Sequence, residues 1–233
     1  MSDEIQLPLN ESLSYRYDSL YQWMSRKYKL KEEHVIVGSH RLCFYTIADV
    51  DELLEQAIIS GSEPYWYDIW ESALGLANCV FEENLEGKRV LDLGCGVGLT
   101  GVVAALKGGE VWMNDVEPDA LRLAELNWIL NLQQEARLLN MDWRTANVNE
   151  QFEVLIASDV LYDPDLFSPL MKVFQKLLTP TGNILLSEPN RPVALPFFRS
   201  LEEHGFKFQK TEQEVDWRGR TSTVSVYNIE RKS

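Results

Sequence analysis

The stretch Arg89-Val90-Leu91-Asp92-Leu93-Gly94-Cys95-Gly96-Val97-Gly98 decides the fold of this chain. An apolar run of strand length leads directly into glycines spaced by two residues, and a segment of helical pattern follows. Glycine at such a turn lets a ligand approach the backbone closely, and the free amides at a helix start can donate hydrogen bonds to it. A tight strand-to-helix turn without a ligand is the structural alternative. The pattern favours a ligand-binding loop at the end of a strand.

Short apolar runs alternate with longer amphipathic segments from this stretch onward. The runs of strand length are Arg89 to Leu93, Glu110 to Met113, Arg137 to Met141, Val154 to Ala157 and Asn183 to Ser187. Helices are predicted after Gly98, Pro118 and Pro164, and the residues Thr179 to Gly182 predict a turn. Strands that alternate with helices across short loops indicate an α/β fold, with a parallel, doubly wound sheet and helices on both faces.

The C-terminal part of the chain breaks this alternation. A helix is predicted from Val193 to His204, and Gly205 suits its C-terminal end. The segments Phe206 to Val215 and Thr221 to Ile229 both alternate apolar and polar residues, and a short loop joins them. Two strands across so short a loop can pair only in antiparallel fashion. The sheet is therefore predicted to end in an antiparallel hairpin.

The first 60 residues differ in texture from the rest. We expect residues 1–60 to form an N-terminal extension that builds part of a substrate cleft, and residues 61–233 to form the main domain. Within the extension, Tyr15 to Tyr28 favours an amphipathic helix and His34 to Thr46 favours a small hairpin. A further helix is predicted from Tyr67 to Phe81, because its apolar residues recur at helical spacing.

Composition and charge exclude several classes of protein. Apolar residues make up 45% of the 233 residues and charged residues 25%, as in folded domains. The 22 Lys and Arg against 36 Asp and Glu give a net charge of −14, which argues against a sequence-independent binder of duplex DNA. The sequence shows neither a membrane span nor a signal peptide, and its three cysteines are too far apart for a disulfide framework. We expect a cytoplasmic protein that binds neither nucleic acid nor membrane.

The glycine loop is compatible with two classes of ligand, a dinucleotide and another adenosine-containing ligand. Gly96, Gly98 and Gly101 match the dinucleotide-binding pattern GxGxxG, but two further residues separate this pattern from the strand, so its register is poor. Asp115, at the end of the second predicted strand, can bind a ribose in either class. The spacing indicates an adenosine-containing ligand without deciding which one.

The segment Leu91 to Gly98 resembles the first motif of the S-adenosylmethionine-dependent methyltransferases that have a seven-strand, Rossmann-like fold. More narrowly, Pro64 to Trp70, Met141 to Trp143 and Ser158 to Asp163 resemble the protein-lysine methyltransferases of this fold, the group that includes the electron-transfer-flavoprotein β-subunit enzyme. The resemblance spans about Gly61 to Ile229. It implies a seven-stranded sheet, mostly parallel with an antiparallel C-terminal hairpin, S-adenosylmethionine as cofactor and a protein lysine as substrate.

The resemblance also implies which residues contact the cofactor. These residues are Trp66, Trp70, Asp92, Gly94, Gly96, Gly98, Asp115, Asp142, Trp143 and Ser158. Asp92 would orient the glycine loop and the methionine end of the cofactor, and Asp115 would bind the ribose hydroxyls. Asp142 would accept a hydrogen bond from the adenine amino group while Trp143 packs on the ring, with ordinary core packing as the alternative for the tryptophan.

Trp66 and Trp70 are four residues apart, so they would share one helix face if the predicted helix begins early enough. Core packing and cofactor contact are equally open for them.

Asp159 and Tyr162 are the implied catalytic residues. They follow the fourth predicted strand, at the edge where open α/β sheets bind their ligands. Methyl transfer is an in-line displacement by a neutral amine, and a carboxylate with a phenol can position that amine; whether either acts as a base stays open. A strand-end aspartate with a packing tyrosine is the structural alternative. Glu188 and Asn190, after the fifth strand, are weaker candidates for the substrate pocket.

No metal site is predicted. His40 and Cys43 are three residues apart, but no second pair has ligand spacing, and His34 and His204 are isolated in the sequence. Three alternatives to a lysine methyltransferase stay open: methyl transfer to a small metabolite or another protein nucleophile, a nicotinamide-dependent oxidoreductase, and a binding module without turnover. The oligomeric state is not predicted.

Overall fold

The computed structural model describes residues 10–51, 53–54 and 64–232. The predicted boundary between residues 60 and 61 lies outside these ranges. The helices are α1 (Glu11–Lys27), α2 (Glu71–Glu82), α3 (Leu99–Leu106), α4 (Pro118–Leu132), α5 (Phe167–Leu177) and α6 (Leu195–Glu203). The strands are β1 (Leu30–Val37), β2 (His40–Ile47), β3 (Arg89–Leu93), β4 (Glu110–Asp115), β5 (Arg137–Asn140), β6 (Phe152–Ser158), β7 (Leu178–Glu188), β8 (Phe206–Trp217) and β9 (Arg220–Arg231).

Seven of these strands form one sheet in the order β5-β4-β3-β6-β7-β9-β8. Neighbours from β5 to β7 run parallel, whereas β9 is antiparallel to both β7 and β8. This arrangement confirms the predicted α/β sheet with its C-terminal hairpin. The chain order reverses between β3 and β6, which makes the carboxyl ends of these two strands the topological switch point, where open α/β sheets bind ligands.

Both faces of the sheet are covered by helices. Side chains that alternate along a strand enter opposite layers of the core. Val90 and Ile156 pack with residues of α2, α3 and α4, whereas Leu91 and Ala157 pack with residues of α5 and α6. The sequence of α5 explains why this helix packs on the sheet. Four of its buried side chains recur at the spacing of one helix face: Leu170, Val173, Phe174 and Leu177.

The described part of the N-terminal extension packs on α4. The buried Asn127 accepts from the Tyr45 amide (2.7 Å) and donates to the carbonyls of Tyr45 (3.0 Å) and Val97 (2.9 Å). Asn131 likewise pairs with the amide and the carbonyl of Cys43, at 3.0 and 2.7 Å. These two amide side chains satisfy backbone groups of β2 as a neighbouring strand would. They fix the predicted hairpin, observed as β1 and β2, beside the glycine loop.

Two details of the predicted elements are wrong. The helix predicted to begin at Tyr67 begins at Glu71, because Asp68 accepts the Ile69 amide (2.8 Å) and Trp70 has extended backbone. The turn predicted at residues 179–182 lies inside β7 as an irregularity: Phe152 and Val154 of β6 pair with Leu178 and Asn183. Here the strand continues past the turn residues in an outward bulge.

Candidate active site

The predicted site residues converge on the carboxyl edge of the sheet. The glycine loop follows β3, Asp115 ends β4, Asp159 follows β6 and Glu188 ends β7. Leu93 and Ala157 are paired across the neighbouring strands β3 and β6, so the glycine loop and Asp159 leave the sheet side by side. The topology therefore joins the predicted cofactor residues and the predicted catalytic residues at the switch point.

The glycine loop has a backbone that other residues adopt only with strain. Gly94, Gly96 and Gly98 have φ angles of +64°, +52° and +86°. A Cβ on Gly96 would lie 3.4 Å from the backbone oxygen of Trp66, and a Cβ on Gly94 would lie 3.5 Å from the ring of Trp143. The loop is thus lined on one side by the Trp66 segment and on the other by Trp143.

Asp115 shapes this loop directly. Its carboxylate accepts the amides of Gly96 (3.1 Å) and Glu117 (3.0 Å), and only 7% of the residue is exposed. Burial raises the pKa of Asp115 to about 6, against the effect of these amide hydrogen bonds. The residue predicted to bind a ribose therefore also fixes the loop.

Asp92 is buried beneath the same loop. Its carboxylate accepts the Thr100 hydroxyl at 2.7 Å, and the Gly101 amide also donates to it, so it binds the first turn of α3. Burial raises its pKa to about 7. Within the described ranges, its second oxygen, Oδ1, has no hydrogen-bond partner. A buried acceptor of this kind indicates a polar group that completes the site.

Trp143 is held by a residue that the sequence analysis missed. Asn114, fully buried in β4, accepts from the Trp143 indole nitrogen at 2.8 Å and donates to the carbonyls of Leu139 and Met141. A polar residue at the end of an apolar strand is the signal that could have found it. Asp142 caps the turn over residues 143–145 by accepting the Arg144 amide at 2.8 Å.

Trp66 and Trp70 do not share a helix face, because the helix begins too late to meet the condition for it. Trp66 lies in a turn of 3-10 helix and packs edge-on against Tyr28, with ring centroids 5.6 Å apart. Trp70 precedes α2, donates from its indole nitrogen to the Tyr65 carbonyl (2.7 Å) and packs against the ring of Tyr65. The helix begins only at Glu71, after both tryptophans, so each is placed by the turn before it.

The side of the edge that is predicted to bind the methyl-accepting amine, the acceptor side, is formed by Asp159 and aromatic rings. Ser158 ends β6, and Asp159 adopts a φ angle of +61°, a strained conformation for a residue with a side chain. Its amide donates to the Ser187 carbonyl at 3.1 Å. Tyr162 packs edge-on against Tyr65, with ring centroids 5.0 Å apart. Tyr65 thus joins the predicted Tyr162 to the segment that carries Trp70.

Of the weaker candidates, Glu188 ends β7 and Asn190 follows it, next to the end of β6 that Asp159 follows. Glu188 is fully buried, and burial raises its pKa to about 7. Burial also raises the pKa of Asp159, whereas the nearby Arg191 opposes that shift. Arg191 forms an ion pair with Asp159 and was not among the predicted site residues. The edge therefore holds two carboxyl groups whose pKa values burial raises and the Arg191 guanidinium lowers.

A group of side chains that could hold a metal ion lies elsewhere, on β1 and β2. Ligand atoms of Glu32, His34 and Cys43 lie within 4.8 Å of one another. His34, which the sequence pattern left isolated, is the cross-strand partner of Cys43. Sequence spacing could not find this group because the hairpin register creates it.

Comparisons with known proteins show which fold and which family this chain has. The solved ribosomal protein L11 methylase of Lactobacillus delbrueckii subsp. bulgaricus superposes with a TM-score of 0.55 at 23% identity, covering 68% of this chain and 77% of that one, which supports the fold. A family described as lysine methyltransferase matches residues 54–204, more than half of the chain. The chain therefore belongs to the lysine methyltransferase family, as the sequence motifs predicted.

Three characterised relatives illustrate the range of this likeness. The histidine protein methyltransferase 1 homolog of Dictyostelium discoideum is 30% identical over 148 residues, 60% of this chain and 48% of that protein. EEF1A lysine methyltransferase 3 of Mus musculus is 29% identical over 156 residues, 64% and 67% of the two chains. The electron transfer flavoprotein beta subunit lysine methyltransferase of Rattus norvegicus is 30% identical over 135 residues, 56% and 52%. The chain spans about half the length of the first and third of these relatives.

Proposed function

We propose that this protein is an S-adenosylmethionine-dependent protein-lysine N-methyltransferase. The observation that carries the proposal is the meeting, at the carboxyl edge of the sheet, of a strained glycine loop with the carboxyl groups of Asp159 and Glu188, in a chain of the lysine methyltransferase family. Relatives named as lysine methyltransferases support the same acceptor. Family membership removes the support for a nicotinamide-dependent oxidoreductase.

The residues on the glycine side fit S-adenosylmethionine. Gly94, Gly96 and Gly98 offer backbone without side chains, and Asp92 Oδ1, which has no hydrogen-bond partner among the described residues, offers an acceptor to the methionine end. Asp115 would bind the ribose hydroxyls, and Asp142 with Trp143 would hold the adenine. When bound, S-adenosylmethionine supplies the sulfonium methyl group.

The residues on the acceptor side would bind and position the lysine. Asp159 would attract the ammonium, and the rings of Tyr65, Tyr162 and Trp70, which pack on one another, would contact its aliphatic stem. Desolvation lowers the pKa of an amine and a nearby carboxylate raises it, so the lysine would bind as the ammonium and lose its proton before the neutral amine attacks the methyl group. A proton released by the amine can be held on a carboxyl group at this edge, since Glu188 has a pKa of about 7.

The net charge of −14 suits a basic segment of a protein substrate, because opposite charge steers association. A protein partner with an accessible lysine is therefore part of the proposal, as is action in the cytoplasm without nucleic acid. Among the described residues, we find no helix with the length and apolarity needed to cross a bilayer.

A protein-histidine methyltransferase is the second candidate, because one relative at 30% identity carries that name. Two carboxyl groups with one arginine leave a net negative charge, which matches a lysine ammonium better than an imidazole that is mostly neutral at pH 7. The acceptor chemistry thus favours lysine.

The test is to incubate the protein with S-adenosylmethionine labelled in its methyl group and a whole-cell protein extract, and to hydrolyse the labelled protein fraction to amino acids. We expect label in Nε-methyl-lysine, with Asp159→Asn as the matched variant that retains the side-chain shape and loses most of the label. Label in methyl-histidine would select the second candidate. Label only in small molecules would contradict a protein substrate.

A further inference from the structure

We propose that Arg191 is a positioning residue of the acceptor pocket, the internal cation that holds Asp159 and Glu188 in place and charged so that together they receive one substrate ammonium. This inference rests on the proposed function for the identity of the acceptor. It assigns a task to a residue that neither the sequence motifs nor the family resemblance singled out.

The backbone brings Arg191 to this place by an unusual turn. Asn190 has a φ angle of +67°, and its side chain accepts from the Ser225 hydroxyl (2.5 Å) and donates to the Thr223 carbonyl (3.2 Å) of β9. The Arg191 amide then donates to Glu188 Oε1 at 2.9 Å. Left-handed residues therefore stand after β6 and after β7, and they turn Asp159 and Arg191 toward each other. Strain held by surrounding contacts is typical of functional sites.

The hydrogen bonding at this cluster is incomplete. Glu188 Oε2 and Arg191 Nη1 lie 3.6 Å apart, and both atoms are buried without a hydrogen-bond partner in the described part of the chain. Asp159 Oδ1 forms an ion pair with Arg191 Nη2. The Glu188 side chain is 0% exposed, so Glu188 Oε2 cannot turn to bulk solvent. Buried polar atoms without partners mark the place of a missing polar group.

Charge indicates what the missing group is. Two carboxylates and one guanidinium leave one net negative charge, which a single ammonium neutralises, and an ammonium donates up to three hydrogen bonds. Glu188 Oε2 and Asp159 Oδ1 offer the acceptors for two of them. A pocket without Arg191 would hold two adjacent carboxyl groups, of which one would take up a proton instead of binding the amine.

The other charged groups around the cluster strengthen the need for a cation. Glu71, at the start of α2, raises the pKa of Asp159, and Asp159 raises that of Glu188. Glu188 in turn raises the pKa of Tyr227 on β9. Arg191 is the group that lowers the pKa of both carboxyl groups.

The experiment compares Arg191→Met and Arg191→Lys with the wild type across pH 6.5 to 9.5. Arg199→Met, an exposed arginine of α6, is the control. The readout is kcat/KM for the methyl-accepting protein fraction. At pH 7 we expect the kcat/KM of Arg191→Met to be about ten- to a hundredfold below that of the wild type, the effect of losing one charged interaction. The ratio of variant to wild-type activity should rise with pH, because the carboxyl groups ionise again. Arg191→Lys should retain most of the activity, and Arg199→Met all of it.

A second readout needs no substrate. Removing the cation raises the folded-state pKa of both carboxyl groups, so the melting temperature of Arg191→Met should fall further below that of the wild type at pH 8 than at pH 5. A ratio of activities that is the same at every pH, or a melting difference that does not depend on pH, would overturn the proposal. A pH-dependent melting difference in a protein that methylates no lysine would keep the role of Arg191 and reject the proposed function.

Discussion

Asp115 is the residue on which the cofactor side of the site depends most. It is buried, it ends β4, and it already accepts the Gly96 and Glu117 amides. Its carboxylate therefore lies between the glycine loop and the position where a ribose is expected. A single substitution here tests both the loop and the ligand.

Asp115→Ala should weaken S-adenosylmethionine and S-adenosylhomocysteine alike, because both carry the ribose. Loss of a charged hydrogen-bond partner corresponds to roughly 1.5–3 kcal/mol, or about ten- to a hundredfold in Kd. Titration calorimetry on the folded variant measures this. An unchanged Kd for both compounds would remove Asp115 from the site.

Tyr162→Phe and Asp159→Asn separate catalysis from binding at the acceptor side. Tyr162→Phe keeps the ring that packs on Tyr65, so the Kd for S-adenosylhomocysteine should barely change while kcat falls by roughly 10–100-fold. Asp159→Asn should lower activity more at low pH, where more of the substrate amine is protonated. Wild-type single-turnover rates in both folded variants would leave these residues with a packing role only.

At the scale of elements, the segment before α2 is held by the tip of the C-terminal hairpin. Arg218, beside the β8–β9 turn, binds both oxygens of Asp68 at 2.7 Å and also contacts Glu33 of β1 at 2.7 Å. Asp68 lies two residues after Trp66, whose backbone faces Gly96. A chain of contacts therefore links the C-terminal hairpin to the N-terminal extension and to the segment beside the glycine loop.

Arg218→Met should loosen this segment without unfolding the sheet. We expect a several-fold rise in the Kd for S-adenosylhomocysteine and a small fall in melting temperature, since partly exposed ion pairs contribute roughly 0.2–1 kcal/mol each. Arg220→Met, an exposed residue at the start of β9, is the matched control. If both variants bind S-adenosylhomocysteine with the same Kd, the ion pairs of Arg218 do not affect the glycine loop.

The elements also show what the sequence could and could not predict. The β3 strand, its glycine loop and the helix after it follow from apolar runs and glycine spacing, and the observed β3 matches the predicted range, Arg89 to Leu93. Asp68, in the segment before α2, is bound by Arg218, which lies 150 residues away, and no local pattern contains that contact. The ion pair of Arg191 with Asp159 likewise arises from the order of β6 and β7 in the sheet.

At the scale of the whole molecule, buried carboxyl groups make stability depend on pH. Asp92, Asp115 and Glu188 have folded-state pKa values of about 7, 6 and 7, above the usual values near 4. A folded carboxyl group with a raised pKa holds its proton more tightly than the unfolded chain does. Its stabilisation is complete below the unfolded pKa and is lost as pH rises through the folded pKa.

We therefore expect the melting temperature of the ligand-free protein to fall between about pH 5 and pH 8. Asp92→Asn retains the side-chain shape and removes one titrating group, so the fall should be shallower in that variant. Asp165→Asn, at an exposed position, should behave as the wild type. Thermal melts of the three proteins across this pH range test the prediction. If the melting temperature of Asp92→Asn falls with pH as steeply as that of the wild type, burial of Asp92 is not a cause of the pH dependence.

The central claim is that the glycine loop and Asp115 form a site for S-adenosylmethionine at the switch point of the sheet. The most direct test is calorimetric titration of the wild-type protein with S-adenosylhomocysteine and, separately, with NADH. We predict one site for S-adenosylhomocysteine that Asp115→Ala weakens about ten- to a hundredfold, and no binding of NADH. Binding of NADH in place of S-adenosylhomocysteine would contradict the account.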